Sequence, residues 1–215
     1  MYRILCYGDS NTWGYEPVSK KRFPADVRWT GVLRRTLYPD CFEVIEEGLN
    51  GRTTVWDDPI EGHKNGKEYL IPCLESHRPL DLVVIMLGTN DLKKRFSLSA
   101  LDVSLGAAEL VDIVHKGEYG PGGKKSRVLL LAPPPVFEIG EWAEMLEGAA
   151  EKSRLLAGHF RRRAEERHCE FMDVSEIAVS SSIDGIHFEA AEHRKLGRAV
   201  AGRILKILRK IDSEG

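Results

Sequence analysis

The segment "LDLVVIMLG", residues 80–88, decides the fold. From Leu82 to Leu87 it is apolar without a break, and it stops at Gly88. A strand with one wet face alternates apolar and polar residues; an unbroken apolar run is expected of a parallel strand covered on both faces. Working outward, "SRVLLLAPPP" (126–135) repeats the pattern and ends in a proline block, while "YRILCY" (2–7), "FEVIEEG" (42–48) and "EFMDVS" (170–175) read as shorter strands. Between them lie helical spacings. Residues 26–39 carry Trp29, Val32, Leu33 and Leu37 and end at Pro39; 68–79 contain Pro72; 98–117 close on Gly117; 143–169 read as one long helix. Residues 190–211 place Leu196, Val200, Ile204, Ile207, Leu208 and Ile211 on one stripe. Strands and helices therefore alternate, which predicts a central parallel sheet with helices on both faces: an α/β fold, a three-layer α/β/α sandwich forming one domain over residues 1–215.

Composition narrows the function. The 215 residues carry a formal net charge of −2, so there is no overall basic field for nucleic acid. The basic groups at Arg161–Arg163 and at Arg203, Lys206, Arg209 and Lys210 read as solvated helix faces. Cys6, Cys41, Cys73 and Cys169 form no C-x-x-C pair, which argues against a zinc site or a disulfide framework and suits a reducing cytoplasm. The apolar run before Gly8 is too short for a signal-peptide core and no stretch is long enough to span a bilayer, so neither export nor a membrane partner is expected.

In sheets of this type, ligands bind beyond the carboxyl ends of the strands. After the first strand come Gly8, Asp9 and Ser10; after the second, Gly48, Leu49, Asn50, Gly51 and Arg52; after the third, Gly88, Thr89, Asn90 and Asp91; after the last, "SSSIDGIHFEAAEH" with Asp184 and His187. Serine is a weak nucleophile that needs an adjacent base, and a histidine serves if a carboxylate holds its other ring nitrogen. Asp184 and His187 are three apart, which on a tight loop sets the carboxylate beside the imidazole. The N–H groups of Ser10 and Gly51 and the side-chain amide of Asn90 supply candidate donors for an oxyanion. Singly, each signal also describes a turn, a cap or a surface pair.

Taken together, "GDSNTWG", "EEGLNGRTT", "IMLGTNDLK" and "DGIH" resemble the four blocks of the SGNH (GDSL-type) hydrolases. "DVRWTGVL", "VIEEGL" and "DGIHF" are similar to the arylesterase/acyltransferase branch. The resemblance implies a flavodoxin-like sandwich and a serine esterase without metal or cofactor. Ser10 would be its nucleophile, His187 its base and Asp184 the orienting carboxylate, with Ser10, Gly51 and Asn90 as the oxyanion hole. Asn11 stands where the family name has leucine, a change expected to affect packing under the nucleophile loop. Arylesterase-like relatives imply small acyl substrates on aryl or alkyl alcohols, acyl transfer as a side activity, and homo-oligomers with an apolar entrance.

Trp13, Phe137, Trp142 and Ile186 are the candidate substrate-binding residues; the apolar run 133–148 is expected to line the entrance or to pack on another subunit. Asp57 and Asp58 read as a capped turn before Pro59 rather than a metal site, and His193 receives no role. Three other readings remain: a carbohydrate O-acetyl esterase using the same residues, a metal-dependent phosphoesterase built on Asp9, Asn90 and His187, and a non-catalytic binding module.

Overall fold

The computed structural model describes residues 1–38 and 41–214. Five strands, β1 (Tyr2–Gly8), β2 (Phe42–Gly48), β3 (Leu82–Met86), β4 (Arg127–Ala132) and β5 (Glu170–Asp173), form one parallel sheet in the order β2-β1-β3-β4-β5. The helices are α1 (Ser10–Trp13), α2 (Trp29–Thr36), α3 (Gly66–His77), α4 (Ala100–Lys116), α5 (Ala149–Glu166) and α6 (Ala190–Glu214).

Side chains alternate across a strand, and both faces of this sheet are covered. Leu5, Tyr7, Val83, Ile85 and Leu130 enter one core with Leu70 and Leu74 of α3, Val103 and Leu110 of α4, and Leu156 and Phe160 of α5. Ile4, Cys6, Leu82, Val84, Leu129 and Leu131 enter the other with Trp29 and Leu33 of α2 and Leu196, Val200 and Ile204 of α6. The unbroken apolar run of β3 thus serves two cores at once. Cys6 and Cys73 are buried, Cys169 is half-buried and Cys41, just before β2, is exposed; all four thiols are free.

Helix boundaries differ from expectation at α3 and α5. The proposed stop at Pro39 lies outside the described residues, as does the side chain of Ile211 in the α6 stripe; α2 itself ends at Thr36. Pro72 sits inside α3. The helix expected from residue 143 begins only at Ala149, because Gly148 adopts φ +80° and breaks the periodic run before it.

His193 of α6 is fully buried, contrary to its reading as a residue without a role. Its Nδ1 accepts the N–H of Trp29 at 3.2 Å, one of the orphan donors at the start of α2, and Phe23 and Phe188 meet its ring edge-on. Burial, then the neighbouring charges of His187 and Arg28, push its pKa from 6.5 down to about 3. The unfolded chain therefore takes up a proton below pH 6.5 that the folded chain refuses, and stability falls as pH drops. Between pH 7 and 5 this single group should cost about 2 kcal/mol. Urea titrations at the two pH values should show His193→Gln losing about that much less than wild type; equal losses would remove the assignment.

Candidate active site

The strand order changes direction at β1, which has β2 on one side and β3 on the other. This is the switch point where a crevice opens beyond the strand ends. The register aligns Gly8 with Gly48 and with Met86, so the segments following three strands leave the sheet at one level.

Ser10 is the first residue of α1. Asp9 caps that helix, its Oδ1 accepting the N–H of Asn11 at 2.9 Å, and the carbonyl of Ser10 accepts the N–H of Gly14. As the first helical residue, Ser10 has no partner inside α1 for its own N–H. Its Oγ lies 2.9 Å from His187 Nε2, and His187 Nδ1 lies 2.7 Å from Asp184 Oδ2. The other carboxylate oxygen, Oδ1, accepts the backbone N–H groups of Ile186 and His187, each at 3.0 Å. Burial alone would push the Asp184 carboxyl upward; the hydrogen bond from His187, its charge and the two backbone donors prevail and hold it below the usual range. At Asp9 the balance goes the other way. Burial pushes its carboxyl up to about 6, against the Asn11 N–H and the charges of His187 and Arg52.

Two loops complete the site. Asn90 Nδ2 donates to the carbonyl of Arg52 at 3.1 Å; a carboxamide nitrogen carries two hydrogens, so one is left for a ligand. The Arg52 guanidinium is buried 4.2 Å over the ring of Tyr7 and donates to the carbonyls of Gly8 and Glu47, tying the loop after β2 to the end of β1. Buried Asp91 accepts both the N–H and the hydroxyl of Thr54, tying that loop to the end of β3. Gly51 needs its lack of a side chain: it holds φ +79°, and a Cβ there would overlap a carboxylate oxygen of Glu61.

A cavity of about 210 Å³ lies over Ser10 and His187, bounded by Tyr15, Asn50, Gly51, Asn90 and Ile186, with Glu61, Lys93, Trp142 and Met145 also lining it. Of the four candidate substrate-binding residues, Trp142 and Ile186 line this cavity and Trp13 and Phe137 do not. The Trp13 ring is covered by the Arg22 guanidinium at 5.2 Å, and the place beside His187 belongs to Tyr15, whose ring centroid is 4.1 Å from the imidazole. Phe137 turns outward, 42% exposed, while its N–H donates to Gly185. Among the other apolar residues of the 133–148 run, Val136 and Leu146 are buried in the core, while Ile139, Trp142 and Met145 are half-buried.

Asp58 caps the turn at Ile60 and Glu61 and pairs with Lys93 and Arg95. Among the described residues, Glu47, Cys73 and His77 also bring donor atoms within 4.8 Å of one another. His77 Nε2 is already hydrogen-bonded to Glu47 at 3.0 Å, and burial pushes the Cys73 thiol up to about 12, so it keeps its proton.

Sequence reasoning did not assign roles to Tyr15, Arg52 and Asp91. A buried charge at a strand end was the available signal for the last two; Tyr15 gave none, since it meets a residue far along the chain.

A family model described as "GDSL-like Lipase/Acylhydrolase family" matches residues 6–195. The chain is similar to a carbohydrate acetylesterase from Sinorhizobium meliloti, at 38% identity and TM-score 0.92 over 96% of this chain and 100% of that one. It is also similar to an aryl esterase from M. smegmatis, at 43% identity and TM-score 0.91 over 96% and 99%. A lipolytic G-D-S-L protein from Veillonella parvula, 14% identical over 96% and 99% with TM-score 0.68, shares the fold. No curated protein matches the sequence at a significant level. Fold and relatives together define a carboxylic ester hydrolase. The chain belongs to the GDSL-like lipase/acylhydrolase family.

Proposed function

We propose that this esterase cleaves small acyl esters of aryl or simple alkyl alcohols through an acyl-enzyme on Ser10. The observation that carries the reading is the Ser10–His187–Asp184 relay, at 2.9 and 2.7 Å, opening into a cavity of only about 210 Å³. Ser10 Oγ attacks the ester carbonyl as His187 Nε2 takes its proton, and Asp184 stabilises the imidazolium. The N–H groups of Ser10 and Gly51 and the free amide hydrogen of Asn90 receive the oxyanion. His187 returns the proton to the departing alcohol; water, or a competing alcohol, then releases the acyl group. The relay needs no metal or cofactor.

An acyl-chain series tests cavity size. An open apolar channel would raise kcat/KM roughly fourfold per added methylene. A cavity this small should instead give the highest kcat/KM with acetate or propionate p-nitrophenyl esters and at least a tenfold loss by hexanoate. A rise through octanoate would refute the small-acyl reading.

A second reading, a carbohydrate O-acetyl esterase, is favoured by one wall of the cavity. Asn50, Glu61 and Lys93 line it, and the buried Oδ1 of Asn50 has no partner among the described residues. A kcat/KM for acetylated sugars more than tenfold above that for aryl acetates would select it.

The reading also includes a cytoplasmic location, supported by four unpaired cysteines, and self-assembly, supported by exposed Phe137 and Ile183 on neighbouring loops. A monomer in light scattering would remove the latter. Among the described residues no helix is long and apolar enough to cross a membrane.

A further inference from the structure

Asn11 is 2% exposed, and its side chain joins the two halves of the relay directly. Its Oδ1 accepts the N–H of Phe188 at 2.9 Å, and its Nδ2 donates to the carbonyl of Ile186 at 3.3 Å. These are the peptide groups on either side of His187. One carboxamide, presenting an acceptor and a donor, thus pairs with the backbone as a neighbouring strand would. The remaining polar groups of that stretch are also engaged: the N–H groups of Ile186 and His187 by Asp184, and the carbonyl of His187 by the N–H of Ser181. Asn11 is covalently next to Ser10, and its own N–H is held by Asp9. Leucine at this position would make neither bond, so the effect of the residue reaches beyond packing.

We infer that Asn11 is a positioning residue: it sets the separation between Ser10 and the His187 backbone, and so the Oγ–Nε2 hydrogen bond on which proton transfer depends. The inference rests on the acyl-enzyme reading. Misplacement of a reacting group by a fraction of an ångström to an ångström costs roughly 10–100-fold in rate.

The test compares wild type with Asn11→Leu, which loses both bonds, and with the nearly isosteric Asn11→Asp, which keeps the acceptor and loses the donor. Competent sites are counted by fluorophosphonate titration, and p-nitrophenyl acetate turnover is expressed per titrated site. Asn11→Leu should lower kcat per site roughly 10–100-fold with KM within threefold, and Asn11→Asp should fall between it and wild type. The titre should stay at one site per folded chain while the labelling rate falls with kcat. If the variants lose titre but keep the wild-type rate per remaining site, or if both stay within threefold of wild type, Asn11 is structural only and the inference fails. Failure of wild type itself to label or turn over would strike the acyl-enzyme reading instead.

Discussion

Ser10→Ala is expected to abolish hydrolysis of p-nitrophenyl acetate, with kcat falling by about 10⁶-fold, the scale on which a serine hydrolase loses its nucleophile. The substitution removes one oxygen from a residue that is 6% exposed and at the first position of α1. That oxygen makes one hydrogen bond, to His187 Nε2, and the helix cap belongs to Asp9. Stability should therefore change by no more than about 1 kcal/mol. The measurement is turnover alongside a thermal melt. A folded variant that retained turnover within tenfold of wild type would move the nucleophile elsewhere.

The second large effect is expected at Asp184→Asn, a loss of roughly 10⁴-fold in kcat. A carboxamide can still receive the two backbone N–H groups on one side, through its oxygen. It then turns its NH₂ toward Nδ1 and favours the tautomer with the proton on Nε2, which cannot accept from Ser10. The imidazolium formed during attack also loses its counter-charge. Stability adds a second readout. Because the folded carboxyl is held below its ordinary 3.8, its contribution is fully present above that value and disappears as pH falls through the folded one. The variant should thus be less stable than wild type at neutral pH, and the gap should close in acid. A kcat within tenfold of wild type would mean that His187 does not depend on Asp184 for its orientation.

Much of this molecule was legible because two kinds of signal are local. Unbroken apolar runs reveal strands buried on both faces, as in β3 and β4, and the strand-end rule then points to Ser10, Gly51, Asn90, Asp184 and His187. The structure brings Ser10, His187 and Asp184 within hydrogen-bond distance and sets Gly51 and Asn90 at the same cavity. What was not legible depends on contacts between distant segments. His193 acts on Trp29 across 164 positions, and Asn11 on Phe188 across 177. Neither partner can be inferred until the helices are placed. Trp13 and Phe137 failed for the converse reason: proximity in sequence to a catalytic segment or a proline turn says nothing about which way an aromatic ring faces. The start of α5 was misplaced because apolar spacing continues through Gly148, whose backbone conformation ends the helix regardless of pattern.

The distribution of thiols has a practical corollary. Cys41 is exposed, and its carbonyl receives the N–H of Tyr2 at the start of the sheet, whereas Ser10 follows the far end of β1. Seven strand residues at about 3.3 Å each put roughly 23 Å between the two. A maleimide dye would therefore attach to the native chain first at Cys41, ahead of half-buried Cys169, without approaching the catalytic mouth. Labelling at Cys6 and Cys73 would appear only as the two cores open, so the protein carries its own attachment point for single-molecule work and its own chemical clock for unfolding.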